Sequence, residues 1–303
     1  MPIDPLSDVL SIIKPRTYVA GGFNMGGDWS VRFNSHDGIK CFAVVSGSCW
    51  LTVDGEREPV RLEEGDCVLL PNGRHFTMAR DPAFNPIPIG DVPEADWRGG
   101  IATVNGGGDA MILGGHFAFS GPHTEMLLGA MPSILRLRGD SDKVDLRWAL
   151  ERMRHELSEG QPGGIMVVEH LAHLLLVQAL RLYLSRGLGR TTGFLFALSD
   201  PKIAAAVGAI HASPGERWTL PMLAGRAGMS RSKFALRFKT IAGSSPIEYL
   251  TRWRMLLACD RLLRRSEPIS VIALSLGYQS EAAFSTAFKR VIGCPPRRYA
   301  DQA

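Results

Sequence analysis

The feature that most constrains the fold of this chain is an internal repeat of fifty residues near its C-terminus. Seven pairs of identical residues lie fifty positions apart and keep the same order along the chain. The pairs are Ser230/Ser280, Phe234/Phe284, Phe238/Phe288, Lys239/Lys289, Gly243/Gly293, Pro246/Pro296 and Tyr249/Tyr299. Because a repeat of this kind marks a duplicated supersecondary unit, we predict two copies of one unit in this region.

Each copy has the pattern of two helices joined by a glycine turn. The first helix has apolar residues at helical spacing and ends at Gly228 or Gly277, where glycine provides the positive φ of a tight turn. The second helix begins after a serine N-cap and repeats apolar residues at i, i+4 and i+7. These residues are Phe234, Phe238 and Ile241 in the first copy and Phe284, Phe288 and Val291 in the second. The pattern predicts two helix-turn-helix units.

A longer helix is predicted between the copies. Ser245 is a suitable cap, Pro246 suits the first turn, and apolar residues continue to about Arg265. These twenty or so residues span about 30 Å, close to the roughly 34 Å between successive major-groove faces of DNA. A further helix, capped by Asp200 and entered at Pro201, completes the first unit.

The region from about residue 200 to 300 resembles the AraC/XylS family of bacterial transcription regulators. The resemblance lies in the stretches GMSRSKFALRF, YLTRWRMLLA and GYQSEAAFSTAFKRVIGCPP. It implies an α+β multidomain chain with an N-terminal cupin-like β-barrel, a helical connector and a C-terminal all-α double helix-turn-helix domain. We expect the effector-sensing domain at 1–139, the connector, dimerisation region and hinge at 140–199, and the DNA-binding domain at 200–303.

Charge is divided unevenly along the chain and supports a polyanion partner for the C-terminal third. Residues 200–303 hold 16 Lys and Arg against 7 Asp and Glu, a net charge of +9, whereas residues 1–199 have a net charge of −5. Five cysteines without metal-type spacing, together with an N-terminus unlike a signal peptide, favour a cytoplasmic protein. No stretch has the length and uniform apolarity expected of a membrane span.

The faces opposite the phenylalanine stripes are the predicted contacts with double-stranded DNA. They match the positions at which the resembling family reads bases, and they lack Arg, Asn and Gln, the side chains best suited to bidentate base contacts. Thymine methyl contacts, hydroxyl hydrogen bonds and DNA shape are therefore expected to contribute to readout. Glu281 either accepts from a cytosine amino group or, more simply, stabilises the helix dipole. The residues of the two faces are Ser232, Ala235, Leu236, Lys239, Ala282, Ser285, Thr286 and Lys289. Glu281 at the start of the second helix and Arg231, a predicted phosphate contact, complete the predicted DNA-binding set.

Short strand patterns separated by turns run from about residue 38 to 76 and predict an antiparallel barrel or sandwich. The segments KCFAVV, CWLTV, PVRL and CVLL resemble the cupin-type sensor of many regulators in the same family. The resemblance implies a cavity for an unidentified small-molecule effector. The candidate lining residues are Phe42, Trp50, His75, Phe76, His116 and Phe119.

A metal-dependent enzyme is the main competing interpretation of the barrel. The first cupin motif requires histidines that are absent between Gly38 and Gly55, and Phe76 occupies the position of the expected second-motif histidine. His75 is one residue early, which turns its side chain to the other face of a strand. We therefore predict no cofactor and no metal, with Cys41, His75 and His116 as weak candidate ligands. A DNA binder without a small effector remains the other alternative.

Two helices are predicted in the connector, from about Leu146 to Leu157 and from Ile165 to Leu184. The second is apolar over much of its circumference and must be buried on several sides. Packing against the barrel and against a second copy satisfies this requirement, so we expect a homodimer. His170 and His173 are interpreted as core or interface residues rather than as a metal pair. Residues 185–199 form the predicted hinge, and an activator of this class would also contact RNA polymerase.

Overall fold

The computed structural model of the chain describes residues 4–13, 17–93, 97–98, 100–118, 131–137, 143–185, 193–265 and 267–301. Contacts divide these residues into two compact units. One unit comprises the described residues from 17 to 118 and from 131 to 185. The other combines residues 4–13 with the described residues from 193 onward.

The first unit contains twelve described strands in two sheets. They are β1 (Thr17–Met25), β2 (Ser30–Phe33), β3 (Ile39–Ser46), β4 (Ser48–Val53), β5 (Val60–Glu63), β6 (Cys67–Leu70), β7 (Phe76–Ala79), β8 (Ile87–Pro88), β9 (Trp97–Arg98), β10 (Ile101–Val104), β11 (Ala110–Ala118) and β12 (Leu135–Leu137). One sheet has the strand order β12-β6-β3-β11-β1-β10-β9 and the other β5-β4-β7-β2-β8.

The space between the two sheets is filled by side chains. Strand alternation produces this core: in β4, Cys49, Leu51 and Val53 are buried while the residues between them are partly exposed. Phe33 from β2 stacks on Phe76 from β7 with ring centroids 4.6 Å apart. Twenty buried residues of both sheets form one cluster. The sandwich interior is therefore a packed core.

Two helices cover the outer face of the seven-stranded sheet. These are α2 (Lys143–Glu159) and α3 (Gly164–Ser185), which pack against each other and against β1, β3 and β12. Within α3, the stretch Gly164–Arg181 is long and apolar enough to cross a membrane by length and composition alone. Core helices of globular proteins meet the same criterion, and Ala172, Leu175, Leu176 and Ala179 of α3 are buried inside this unit.

The second unit is helical throughout its described residues. Its α-helices are α1 (Pro5–Ile13), α4 (Pro201–Ala212), α5 (Leu220–Arg226), α6 (Arg231–Ala242), α7 (Pro246–Arg264), α8 (Ile269–Ser275), α9 (Glu281–Ile292) and α10 (Pro296–Ala300). A short 3-10 helix, Leu195–Leu198, precedes α4. Helix α1 packs against α4, α7 and this 3-10 helix, with Val9 fully buried.

The two predicted helix-turn-helix units are present. Helices α5 and α6 form the first and α8 and α9 the second, with Gly228 and Gly277 at φ values of 60° and 80° in the turns. Gly243 and Gly293 end α6 and α9 in the left-handed conformation. Ser280 caps α9 through the N–H of Ala283, whereas Ser230 occupies the N-cap position of α6 without a side-chain bond.

Helix α7 belongs to the cores of both helix-turn-helix units. Ser245 and Glu248 form a capping box at its start, and the helix covers 19 residues, about 28 Å. In its first half, Tyr249 stacks on Phe194 and meets Phe238 edge-to-face. Trp253 stacks on His211. Met255, Cys259 and Leu262 in its second half pack with Phe284 and Phe288 of the second unit.

The α+β multidomain fold is confirmed, with one correction of shape. The expected barrel is a pair of stacked sheets, and the described strands do not close into a barrel. The predicted boundaries after residues 139 and 199 stay predictions. Residues 5–13, which the sequence groups with the sensor, pack in the helical unit. In the predicted hinge, residues 186–192 lie outside the described residues, and Phe194, Leu195 and Phe196 are buried.

The Asp200 side chain links the start of α4 to α6, the second helix of the first helix-turn-helix unit. One carboxylate oxygen accepts from the N–H groups of Lys202 and Ile203, and the other accepts from Nε of Arg237 at 2.7 Å. Burial alone would raise the pKa of Asp200, but these hydrogen bonds and the Arg237 charge hold it below its ordinary value. This ion pair holds the Arg237 side chain, 45% of which is exposed, at the start of α4.

We expect Asp200→Ala to lower the free energy of unfolding by about 1–3 kcal/mol, because it removes a helix cap and a charge-assisted bond. The stabilisation is present above the ordinary carboxyl pKa and lost as pH falls through the lowered value. Urea unfolding at pH 7 and pH 3 measures both effects. The control is Asp260→Ala, which breaks a surface pair with Arg264 and is expected to cost under about 1 kcal/mol. Equal losses for the two variants would contradict the assignment.

Candidate nucleic-acid interface and ligand sites

Helix α6 presents its predicted DNA-contact residues to solvent. Phe234 and Phe238 are fully buried on its inner face. On the opposite face, Leu236 has 72% of its surface exposed. The other predicted residues of this helix, Arg231, Ser232, Ala235 and Lys239, are exposed or partly exposed. An exposed apolar residue at the centre of a polar helix face is suited to contact a thymine methyl group.

Helix α9 has the same arrangement with a more polar face. Phe284 and Phe288 are buried, whereas Ala282, Thr286 and Lys289 are exposed. The Thr286 hydroxyl donates to the carbonyl of Ala282 at 3.0 Å, which leaves its methyl group and remaining lone pair at the surface. The fifth predicted residue, Ser285, is partly exposed.

Glu281 lies in the first turn of α9, where a carboxylate interacts favourably with the helix dipole. Its carboxylate is 3.9 Å from the guanidinium of Arg297, whose side chain is 84% exposed. Both interactions stabilise the charged carboxylate within the protein. The position therefore fits the structural interpretation of Glu281 given above, while its partial exposure still permits contact with a base.

The cations of this surface fall into two groups. Arg231, Lys239 and Lys289 are exposed, and none of them has an ion pair with a described residue. Such side chains are free to contact phosphate oxygens. Arg237 and Arg254 are instead held by protein groups and contribute to the shape of the domain.

Gln279 was missed by the sequence reasoning. It is exposed in the turn directly before the N-cap Ser280, next to the start of α9. Its amide is a good partner for adenine. The DNA-contact residues were predicted from helical periodicity, as the face opposite the phenylalanine stripe. Gln279 lies in the turn before the helix, to which this periodicity does not apply. The N-terminal end of a recognition helix, including its turn, is the part that enters the groove first.

The predicted effector-pocket residues do not line one cavity. Phe42 and Phe76 belong to the filled core between the sheets. Trp50 and His75 are partly exposed, and His75 immediately precedes β7, in which Phe76 points inward. Phe119 lies outside the described residues.

The three weak metal candidates are also separated. Cys41 is buried on the outer face of the seven-stranded sheet, with its Sγ 3.6 Å from Sγ of Cys67. His116 pairs with Lys40 in the strand register, so it lies on the opposite face from Cys41. Among the described residues, no three His, Cys, Asp or Glu side chains come together as a metal site.

His116 instead meets His36, with ring centroids 5.5 Å apart. Its Nε2 is 2.5 Å from the carbonyl oxygen of Asp37, while His36 Nε2 is 3.1 Å from that of Leu70. Burial lowers the pKa of His36 to about 4, with the nearby Lys40 charge acting in the same direction. This histidine is neutral at physiological pH and completes the packing at one end of the sandwich.

An apolar crevice lies on the other face of the seven-stranded sheet, between β3 and β11 on one side and α2 and α3 on the other. Its empty volume is about 240 Å³, including the part open to solvent. Its enclosed part holds about one water molecule. The lining residues are Cys41, Ala43, Leu113, Gly114, Gly115, Phe117, Leu150, Met153, Ala172 and Leu175. No side chain in this set is charged.

The face of α3 turned away from the sheet is apolar and exposed. Ile165, Met166 and Leu174 have 78%, 64% and 38% of their surfaces accessible. His170 and His173 lie on the same side, and each has Nδ1 within hydrogen-bond distance of a carbonyl oxygen of its own helix. Both histidines are exposed, so the expectation that they lie in the core is not met, and their place in an interface stays a prediction.

Two family profiles match the chain. One described as Cupin matches residues 4–185, and one described as Helix-turn-helix domain matches residues 223–302. The first covers the sandwich, α2 and α3, and the second covers most of the helical unit.

Curated relatives are similar to this chain over nearly its whole length. A Streptomyces lividans protein described as an AraC-like transcription regulator is 41% identical over 298 residues, with 98% of each chain covered. The HTH-type transcriptional regulator AlkR of Acinetobacter baylyi is 30% identical over 292 residues, covering 91% of this chain and 92% of that one. Among solved structures, the DNA-binding domain of AdpA in complex with a target DNA is 30% identical and covers 34% of this chain and 92% of its own, with a TM-score of 0.32.

Proposed function

This chain belongs to the AraC-like transcription regulators, and we propose that it selects its operator with α6 and α9 and responds to a small apolar molecule bound by the cupin unit. The observation that supports operator selection is the pair of helices with buried phenylalanines and exposed opposite faces. We propose that the protein acts in the cytoplasm, where its target DNA is located. If it is an activator, it also contacts RNA polymerase.

We divide the DNA contacts into those that provide affinity and those that provide specificity. Arg231, Lys239 and Lys289 neutralise phosphates, which strengthens binding to every sequence and makes it salt-dependent. Leu236 and Thr286 present methyl groups to thymines, and Ser232 and Ser285 offer hydroxyls. Methyl and hydroxyl contacts discriminate less strongly than a bidentate arginine, so DNA shape contributes more to the choice of site.

Lys239→Ala is expected to weaken binding to all DNA sequences and to reduce the slope of log K against log salt by about one. Leu236→Ala is expected to change the preference at one base pair by about 1 kcal/mol and to leave the salt slope unchanged. Fluorescence anisotropy at several salt concentrations, with a library of single-base operator variants, measures both quantities. Lys202→Ala, an exposed lysine of α4, is the matched control. Unchanged affinity and preference in both test variants would refute the assigned face.

We place the effector in the crevice between the seven-stranded sheet and the α2–α3 pair. Two features support this position: the sandwich interior is filled, and the crevice offers only apolar and thiol side chains. A charged ligand would lose its hydration there without gaining a partner, so the effector is neutral and apolar. Because the enclosed space is small, its binding requires the helix pair to move away from the sheet. Ligand binding thereby moves α3, the last helix before the DNA-binding unit in the sequence.

Toluene and benzoate are suitable probes of this proposal, since they differ mainly in charge. We expect toluene, and not benzoate, to raise the melting temperature of the full-length protein. Ala172→Leu fills the crevice from α3 and is expected to abolish the shift. Ala205→Leu, at an exposed position of α4, is the control and retains the shift. A toluene shift that persists in folded Ala172→Leu, or an equal response to benzoate, would rule out this site.

A second copy of the chain is the proposed partner of the exposed α3 face. Met166 and Leu174, eight residues apart on the exposed side of α3, form a short apolar stripe on a helix whose other side is already packed. Dimerisation through one helix face buries this stripe and provides four recognition helices for one operator.

Met166→Glu with Leu174→Glu is expected to convert a dimer into a monomer, because dimerisation would then bury unpaired charges. Light scattering after size exclusion measures the mass. Gln161→Glu, in the exposed link between α2 and α3, controls for added negative charge. A monomeric wild-type protein, or a double variant that stays dimeric, would contradict the proposed interface.

A further inference from the structure

The point where the two helix-turn-helix units meet lies at the middle of α7. Trp253 is buried in the first unit, where it stacks on His211 at 3.7 Å between ring centroids. Met255, two residues later, is fully buried in the second core. Arg254 lies between them and points to neither core. Its side chain is free to interact with the loops through which the two units approach each other.

Arg254 binds the first unit through two backbone carbonyls. Its Nε donates to Pro214 O at 2.7 Å, and its Nη2 donates to Glu216 O at 2.9 Å. Both carbonyls belong to the loop between α4 and α5. Two donors in the fixed geometry of one guanidinium hold this loop at a defined position relative to α7.

The same guanidinium also contacts the second unit. It lies over the ring of Tyr278, 5.6 Å from the centroid, in the turn between α8 and α9. Burial lowers the pKa of Arg254, but an arginine remains charged at neutral pH. One side chain therefore joins a loop of the first unit, the linker helix and the turn that begins the second recognition helix.

Backbone contact between the units supports the same junction. A Cβ placed on Gly215 would lie 2.5 Å from Ser275 O, and one placed on Gly277 would lie 2.3 Å from Gly215 O and 2.8 Å from the Arg254 guanidinium. Gly277 also has φ at 80°, which favours glycine at this turn. The loop of the first unit thus packs directly on the turn of the second.

We infer that Arg254 is a positioning residue that fixes the orientation of α9 relative to α6 and so sets the half-site spacing that the protein accepts. The inference rests on the proposed readout of DNA by α6 and α9. One added base pair moves the second half-site by about 3.4 Å and rotates it by about 35°. Because the Arg254 contacts and the close backbone packing hold the junction rigid, α9 cannot move with the displaced half-site. A flexible hinge at α7 would allow α9 to reach it.

The test combines a spacing profile with a distance measurement that needs no DNA. Wild type, Arg254→Gln, Arg254→Lys and the same-helix control Arg264→Gln are compared as full-length proteins. The DNA carries two half-sites selected by wild type, with the spacer changed by one base pair in either direction. We expect wild type and Arg264→Gln to lose about tenfold or more in affinity with either spacer change, a penalty of about 1.4 kcal/mol. Arg254→Gln is expected to bind DNA of the original spacing more weakly than wild type does, and to lose only about two- to threefold in affinity when the spacer is changed. The loss for Arg254→Lys is expected to lie between those of wild type and Arg254→Gln.

Spin labels at Ser232→Cys and Ala282→Cys, in a Cys294→Ser background, report the separation of α6 and α9 directly. We expect one narrow distance distribution in wild type and Arg264→Gln and a broader one in Arg254→Gln. A full spacing penalty in Arg254→Gln together with a narrow distribution would overturn the inference. If wild type shows no preference for any half-site, the proposed readout fails, and the distance distributions alone decide whether Arg254 fixes the two helices. A simple loss of fold would instead appear as reduced thermal stability with no change in the shape of the spacing profile, and that result also counts against the inference.

Discussion

The burial of α7 between two hydrophobic cores is the constraint on which the DNA-binding region depends. Tyr249 and Trp253 complete the first core, and Met255, Cys259 and Leu262 complete the second. Each helix-turn-helix unit packs helices of 7 and 12 residues against this shared helix, and helices of that length are at best marginally stable on their own. The two recognition helices are therefore produced by one folding unit.

The repeat predicted this region well because its signals are local. Glycine at a left-handed position, a serine or aspartate cap and a phenylalanine every four residues each act within a few residues of the chain. Asp200, Ser245 and Gly243 consequently took the roles expected of them. The junction at Arg254 was not predictable, because Pro214 and Tyr278 approach it from distant parts of the sequence.

The sensor unit was predicted less completely for a different reason. Alternation within a strand shows that one face is buried, but it does not show what fills the space opposite that face. Phe42 and Phe76, the predicted pocket candidates, lie between the two sheets, where their own rings and that of Phe33 fill the expected cavity. The crevice against α2 and α3 arises from two glycines and two alanines that meet across three elements, β3, β11 and α3. Small residues are common in every element, so nothing in the sequence marks these four.

If the proposed effector site controls the proposed DNA contacts, ligand binding must provide enough free energy to change the affinity for the operator. An effector changes operator binding only if its affinity differs between two arrangements of the protein, and a tenfold change in operator affinity requires a difference of about 1.4 kcal/mol. Opening an apolar crevice by moving α2 and α3 provides such a difference, because the ligand gains its contacts only in the open arrangement. The free energy of burying even two or three methylene groups, at about 0.8 kcal/mol each, is sufficient. The binding energy of a small neutral molecule is therefore large enough for the tenfold change in operator affinity that the proposed function requires.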